Sequence, residues 1–165
     1  MKRFLMAFGI VMGLSLGAVP VSAISEEQAN AIHDRCDSIR SSLKSVQRVD
    51  SRTRVYLGGY YETILSDFVI PLNVRLVENS LAEVALTENQ NNFATTKKAF
   101  NDDYISYQQG LEELVLMDCK TEMDKFYNKL EKVRQKRKIV EQDALRMGSL
   151  ISEHVKLANR LKGKL

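Results

Sequence analysis

The sequence predicts an all-α protein, an elongated up-down-up three-helix bundle of coiled-coil character, and three observations carry that prediction. Apolar residues recur at alternating spacings of three and four through three long segments, the period of one helix face. Helix breakers are scarce, with one proline, Pro71, and five glycines beyond residue 23. Two cysteines, Cys36 and Cys119, can meet across the chain; if two antiparallel helices bring them together, the turn between those helices falls near residues 77 and 78. Asn79-Ser80 marks a turn at nearly the same place on composition alone.

The 165-residue chain opens MKRFLMAFGIVMGLSLGAVPVSAISEEQ. Lys2 and Arg3 form a positive start, Phe4 to Leu16 an apolar stretch, Pro20 a breaker, and Val21-Ser22-Ala23 a small-residue cleavage site, which together read as a signal peptide over residues 1–23. An uncleaved anchor is the alternative, since Phe4 to Val21 reaches the lower edge of a spanning length. Cleavage after Ala23 removes two of the 24 basic residues and none of the 21 acidic ones, so the formal charge falls from +3 to +1. Residues 24–165 then form a single helical-bundle domain, expected to be exported to the periplasm or the extracellular space with no stable membrane insertion. So small a charge does not by itself argue for nucleic acid. In an oxidising compartment Cys36 and Cys119 pair within the chain; an intermolecular bridge or free thiols are the alternatives.

Each helix follows from its own signals. Ser25 with Gln28 has the spacing of a capping box, which starts the first helix. Its stripe reads Ile32, Cys36, Ile39, Leu43, Val46, Asp50, Thr53, Leu57, Tyr60, Ile64 and Phe68. Within it the stretch VDSRTRVYLGGYYE changes the polarity of the stripe but not its period. Gly58-Gly59 weakens the helix, either as a hinge or by admitting the Lys97 stem, and Pro71 adds a kink. The second stripe runs Leu86, Gln90, Phe93, Lys97, Phe100, Tyr104, Tyr107, Leu111 and Leu114, with Thr87 and Gln90 as a cap pair. Asp118 to Thr121 offers the next caps. The third stripe is the longest: Phe126, Leu130, Val133, Arg137, Val140, Ala144, Met147, Ile151, His154, Ala158 and Leu161.

With Cys36 beside Cys119, Asp50 lies level with Ile105 and with Arg137 of the last helix. Asp50, Thr53 and Arg137 are therefore expected to form a polar layer across the bundle, with Arg52, Arg54, Asp102 and Asp103 at its rim. A charge inside a bundle is costly unless paired, and its best-attested use is to fix alignment.

No catalytic or cofactor motif is present. His33, Cys36 and Cys119 with Asp37 or Asp118 would be a poor metal set beside the simpler disulfide reading. His154 sits on an apolar stripe, as core histidines do, and the cysteines do not form a C-x-x-C pair, so nothing points to thiol redox catalysis. Neither a metal nor a cofactor is expected. Two surfaces could bind. Lys125 to Lys138 holds seven basic residues against Glu131 alone, so Lys132, Arg134, Lys136 and Lys138 could attract an anionic envelope polymer, or form a solvated face. Arg52 and Arg54 beside Tyr56, Tyr60 and Tyr61 could form a stacking or peptide-binding surface.

The stretches DSRTRVYLGGYYETI, PLNVRLV, MDCK and KFYNKL resemble a group of uncharacterised exported helical proteins of small-genome bacteria. The resemblance implies export and a helical build; it carries no activity, ligand or site residue. The expected function is thus a non-enzymatic structural or partner-binding module of the envelope, the alternative being an anionic-polymer binder or holdase-like adaptor. Partner identity and self-association stay open.

Overall fold

A computed structural model describes residues 24–163, and the leader expected over residues 1–23 lies outside them. The described chain is helical throughout, with no strand: α1 (Glu26–Thr63), a π-helical segment (Ile64–Val69), α2 (Ile70–Glu78), α3 (Val84–Leu116) and α4 (Met123–Lys162). α1, the π segment and α2 make one rod, so the architecture is an all-α bundle of three rods. No helix of the described residues is long and apolar enough to cross a membrane.

The rod begins at the Ser25 capping box. The Ser25 hydroxyl accepts from the Gln28 amide at 3.2 Å, the Gln28 side chain accepts from the Ser25 amide at 3.0 Å, and Glu26 and Glu27 face the positive end of the helix dipole. The rod ends at Asn79-Ser80. Ser80 takes a left-handed φ of 60°, its amide bonds the Val77 carbonyl, and the Leu81 amide reaches back to the Leu76 carbonyl at 2.8 Å. That pair of bonds is a Schellman stop, built here on serine where glycine is usual. α3 starts at Val84, so Thr87 lies inside the helix and caps nothing. Asp118 organises the last turn by accepting from the Lys120 amide at 2.9 Å.

The Cys36–Cys119 disulfide ties α1 to the α3–α4 turn, with Cα atoms 5.6 Å apart. Closing a loop of 83 residues removes chain entropy worth about 4.5 kcal/mol from the unfolded state. Around it Ile32, Tyr107, Leu111, Leu114, Phe126 and Val133 form one core cluster. A second cluster joins Tyr61, Leu65, Val69, Phe93, Phe100, Met147 and Leu150 towards the other end. α3 and α4 make the longest contact in the molecule. They approach closely at Gly110, where a Cβ would stand 3.2 Å from Val133 Cγ2.

The first rod departs from its predicted face. Helix α1 runs unbroken through Gly58-Gly59, where an added Cβ at either position meets nothing, so neither a hinge nor close packing explains the pair. The irregularity comes instead at Ile64–Val69, directly before Pro71. In an α-helix the Pro71 ring would collide with the carbonyl four residues back and leave it without a donor. An underwound turn, in which the Ile70 amide bonds the Leu65 carbonyl, re-routes the ladder just ahead of the proline. The buried positions change with it. Leu57 is followed by Tyr61, Leu65 and Val69 at successive spacings of four, while Phe68 is 62% exposed against 2% for Val69. One residue more than a straight helix needs is absorbed there.

Polar groups also enter the second core. Asn89 is buried, donates to the Leu150 carbonyl at 3.1 Å and places its Oδ1 3.1 Å from His154 Nδ1. The ring therefore carries its proton on Nδ1, and the buried Nε2 has no partner among the described residues. Burial pulls the His154 pKa below the ordinary value.

Two predictions follow from these packing details. Gly58→Ala and Gly59→Ala should each stabilise by about 0.5–1 kcal/mol, read as a higher urea midpoint at unchanged slope; a fall in midpoint would mean that the pair serves the fold in a way open space does not explain. For His154 the folded pKa is depressed, so the unfolded chain binds more protons as pH drops below about 6.5, and stability declines as pH falls. The ring should titrate by NMR below that value, and His154→Gln should flatten the stability curve between neutral and mildly acidic pH.

Candidate functional site

Between the two core clusters no side chain of α1 is fully buried from residue 37 to residue 60. Charged residues take the inward positions in the middle of that span, and a cavity of about 280 Å³ opens there. Asp50, Thr53, Arg54 and Leu57 line it from α1, Phe100, Tyr104 and Tyr107 from α3, and Arg137, Val140, Glu141 and Ala144 from α4.

Asp50 and Arg137 meet across the cavity. The guanidinium donates from Nε to Oδ2 at 2.7 Å and from Nη2 to Oδ1 at 3.0 Å, a two-pronged pairing, and the Tyr107 hydroxyl adds a third donor to Oδ2 at 2.7 Å. Burial alone would raise the Asp50 pKa, but the bonds from Arg137 and Tyr107 and the Arg137 charge outweigh it, and the net shift is downward. Burial and the neighbouring Asp50 carboxylate push the Tyr107 hydroxyl pKa up. At neutral pH the aspartate is ionised and the phenol protonated. The pair is unevenly exposed, with 15% of the Asp50 side chain and 58% of Arg137 reaching solvent.

Thr53 does not join this group; its hydroxyl donates to the Val49 carbonyl one turn back at 3.1 Å. Arg54, expected at the rim, is the second cation of the cavity. Its guanidinium carbon lies 5.5 Å from the centre of the Tyr104 ring, Nη2 makes a long 3.4 Å bond to Asn101 Oδ1, and the buried Nε has no partner among the described residues. Tyr104 in turn donates to Ser51 Oγ at 3.2 Å.

The other candidates disperse. Tyr61 belongs to the core, its hydroxyl donating to the Ala144 carbonyl at 3.0 Å, whereas Tyr56 and Tyr60 stay outside on the surface. The stacking surface expected from these tyrosines is therefore divided. Along the basic run, Lys125 pairs with Glu122, Lys129 with Glu113 and Arg134 with Glu131, and Lys136 donates to the Ser106 carbonyl. Lys132 and Lys138 are exposed and make no ion pair among the described residues, and the same holds for Arg52 on α1. Asp102 pairs with Lys98, and Asp103 faces Asp143 rather than a lysine. Burial and the Asp103 carboxyl push the Asp143 pKa up. His33 contacts Asp34 at the surface, and among the described residues no group of three or more His, Cys, Asp or Glu could hold a metal ion.

Sequence reasoning missed Arg54 as a cavity residue, along with the Asn89–His154 contact and the Asp103–Asp143 pair. A polar residue beside an apolar stripe gives no signal of the direction in which it turns. Compared with known protein families, curated proteins and solved structures, the chain matches none.

The exposures of Asp50 and Arg137 set a ranking. Deprived of Asp50, Arg137 can turn to water, whereas the buried Tyr107 hydroxyl loses its acceptor. Double-mutant cycles on unfolding should give about 1–2 kcal/mol for Asp50→Asn with Tyr107→Phe and about 0.5–1 kcal/mol for Asp50→Asn with Arg137→Gln. The reverse order would show that the ion pair, rather than the phenol, anchors the layer.

Proposed function

We infer that the chain is an exported, non-catalytic helical module of the bacterial envelope or extracellular space, and that it works by accepting an amphipathic helix from a partner protein. One observation carries this reading. The second half of the first rod turns Val69, Asn73 and Leu76 inward, and directly beside them on α2 Ile70, Val74 and Val77 form an exposed apolar stripe. These three are spaced four and three apart, the spacing by which the bundle's own helices pack. A helix with its own three-four stripe is the shape that completes such a seam. Val77 at 61% and Val74 at 49% exposure are costly for an isolated surface and reasonable for a docking one.

Export is supported by the signal-like leader and by a disulfide that an oxidising compartment would preserve. Absence of turnover is supported by the state of the site: the Asp50 carboxylate is occupied by three donors and the Tyr107 phenol is held protonated, so neither is poised to move a proton near neutral pH. The basic run gives less support to polymer binding, because local acids and a backbone carbonyl already engage most of it.

A photoreactive residue at Val74 or Val77 of the full chain, expressed in its natural host, tests the reading. The expected product is one discrete adduct whose crosslinked peptide maps to an amphipathic helical segment of another protein. It should vanish in Ile70→Glu while the melting temperature holds. Adducts of doubled mass alone, or equal labelling from exposed Leu145 on α4, would overturn the proposal.

A further inference from the structure

The geometry points to a second site, independent of the α2 stripe: we propose that the mid-bundle cavity binds a small apolar monocarboxylate, its carboxylate held by Arg54 and its body lying on Leu57, Phe100 and Val140. Three features argue for it. The first is the charge balance. Both oxygens of Asp50 accept from Arg137 or Tyr107, and among the described residues no carboxylate, Glu141 of the lining included, stands within ion-pair distance of the Arg54 guanidinium. Among the described residues Arg54 has one long bond to an amide oxygen and a buried Nε with no partner, and a half-buried guanidinium with donors to spare favours an anion. The Tyr104 ring, 5.5 Å from the guanidinium carbon, supports the cation without occupying any of its N–H donors.

The second feature is the apolar wall. Leu57, Phe100 and Val140 come from three different helices and present carbon towards the space beside the cation. A few polar anchors beside an apolar surface is the usual make-up of a small-molecule site. The third is size and sign together. A volume of about 280 Å³ corresponds to roughly nine waters, room for a ligand of about ten non-hydrogen atoms. Glu141 stands exposed on the cavity lining and Asp50 lies inside, so a second negative charge on the ligand meets two carboxylates. One charge and one short apolar body fit; dianions and long acyl chains do not.

Titration of the full chain with 3-phenylpropionate, hexanoate, 3-phenylpropionamide and phthalate, followed by NMR and calorimetry, tests the site. The two monocarboxylates should shift the resonances of Leu57, Phe100 and Val140 and bind at least about tenfold more tightly than the neutral amide or the dianion. Arg54→Gln, which keeps amide donors but loses the charge, should reduce the acid-over-amide preference to near one, and Arg54→Lys should restore part of it. Equal binding of acid and amide by the unaltered chain, shifts confined to surface residues such as Arg52, or an undiminished preference in Arg54→Gln would each overturn the proposal. The ligand series on the unaltered protein decides the matter even if the variants fold poorly. Loss of the α2 adduct would leave this result untouched.

Discussion

The Cys36–Cys119 bond is the constraint on which the rest of the structure depends. α3 and α4 hold each other along most of their length through apolar side chains, but α1 has only Ile32 and Cys36 buried before Tyr61. Ile39, Leu43, Val46 and Leu57 pack against the core only half-buried, which holds register less firmly than fully interlocked side chains do. Sulfur fixes one end instead. With that end fixed, the position of every later residue on α1 follows from the helical rise, and Asp50 arrives beside Arg137 and Tyr107. The ionic group then restricts the rod a second time, through geometry that a one-turn slip would destroy. Two specific attachments replace the continuous seam that the other two helices share.

This division of labour explains where the cavity sits. Apolar packing is strong near the disulfide and again around Tyr61, where the ring meets Phe93 and Phe100 edge to face. Between these regions α1 contributes charges and hydroxyls, which cannot fill space as leucines do without leaving polar atoms unpaired. A gap bounded by charge on one side and carbon on the other is the product. It is a packing defect in the sense of stability and a binding pocket in the sense of chemistry.

Much of the fold was legible in the sequence. The α3 stripe places Leu86, Phe93, Phe100, Tyr104, Tyr107, Leu111 and Leu114 inside, and all seven are buried. The capping box, the cysteine pairing and the meeting of Asp50 with Arg137 were likewise readable, because each is a matter of spacing along regular helices. The phase of the first rod was not. Tyr60-Tyr61, Ile64-Leu65 and Phe68-Val69 are apolar pairs, so the pattern permits either member to face the core; packing turns Tyr61 inward within regular α1, and the underwound turn ahead of Pro71 keeps Leu65 and Val69 on the same side. Thr53 was misplaced for a related reason: a threonine on a helix can satisfy itself on the carbonyl four residues back, and no spacing rule shows when it will. The cavity itself had no sequence signal, since a void is defined by what neighbouring rods fail to supply.

The underwound segment has an implication for how this chain can vary. By taking up a surplus residue locally, it decouples α2 from α1: the faces on either side keep their headings although the count between them has changed. Helical repeats normally punish an insertion, because each extra position rotates everything downstream by about 100°. Here the odd residue is swallowed within a turn and a half, and the hairpin beyond inherits no error. A length change at this point therefore need not propagate, and the exposed stripe of α2 can keep its heading while the disulfide-bearing half stays as it is.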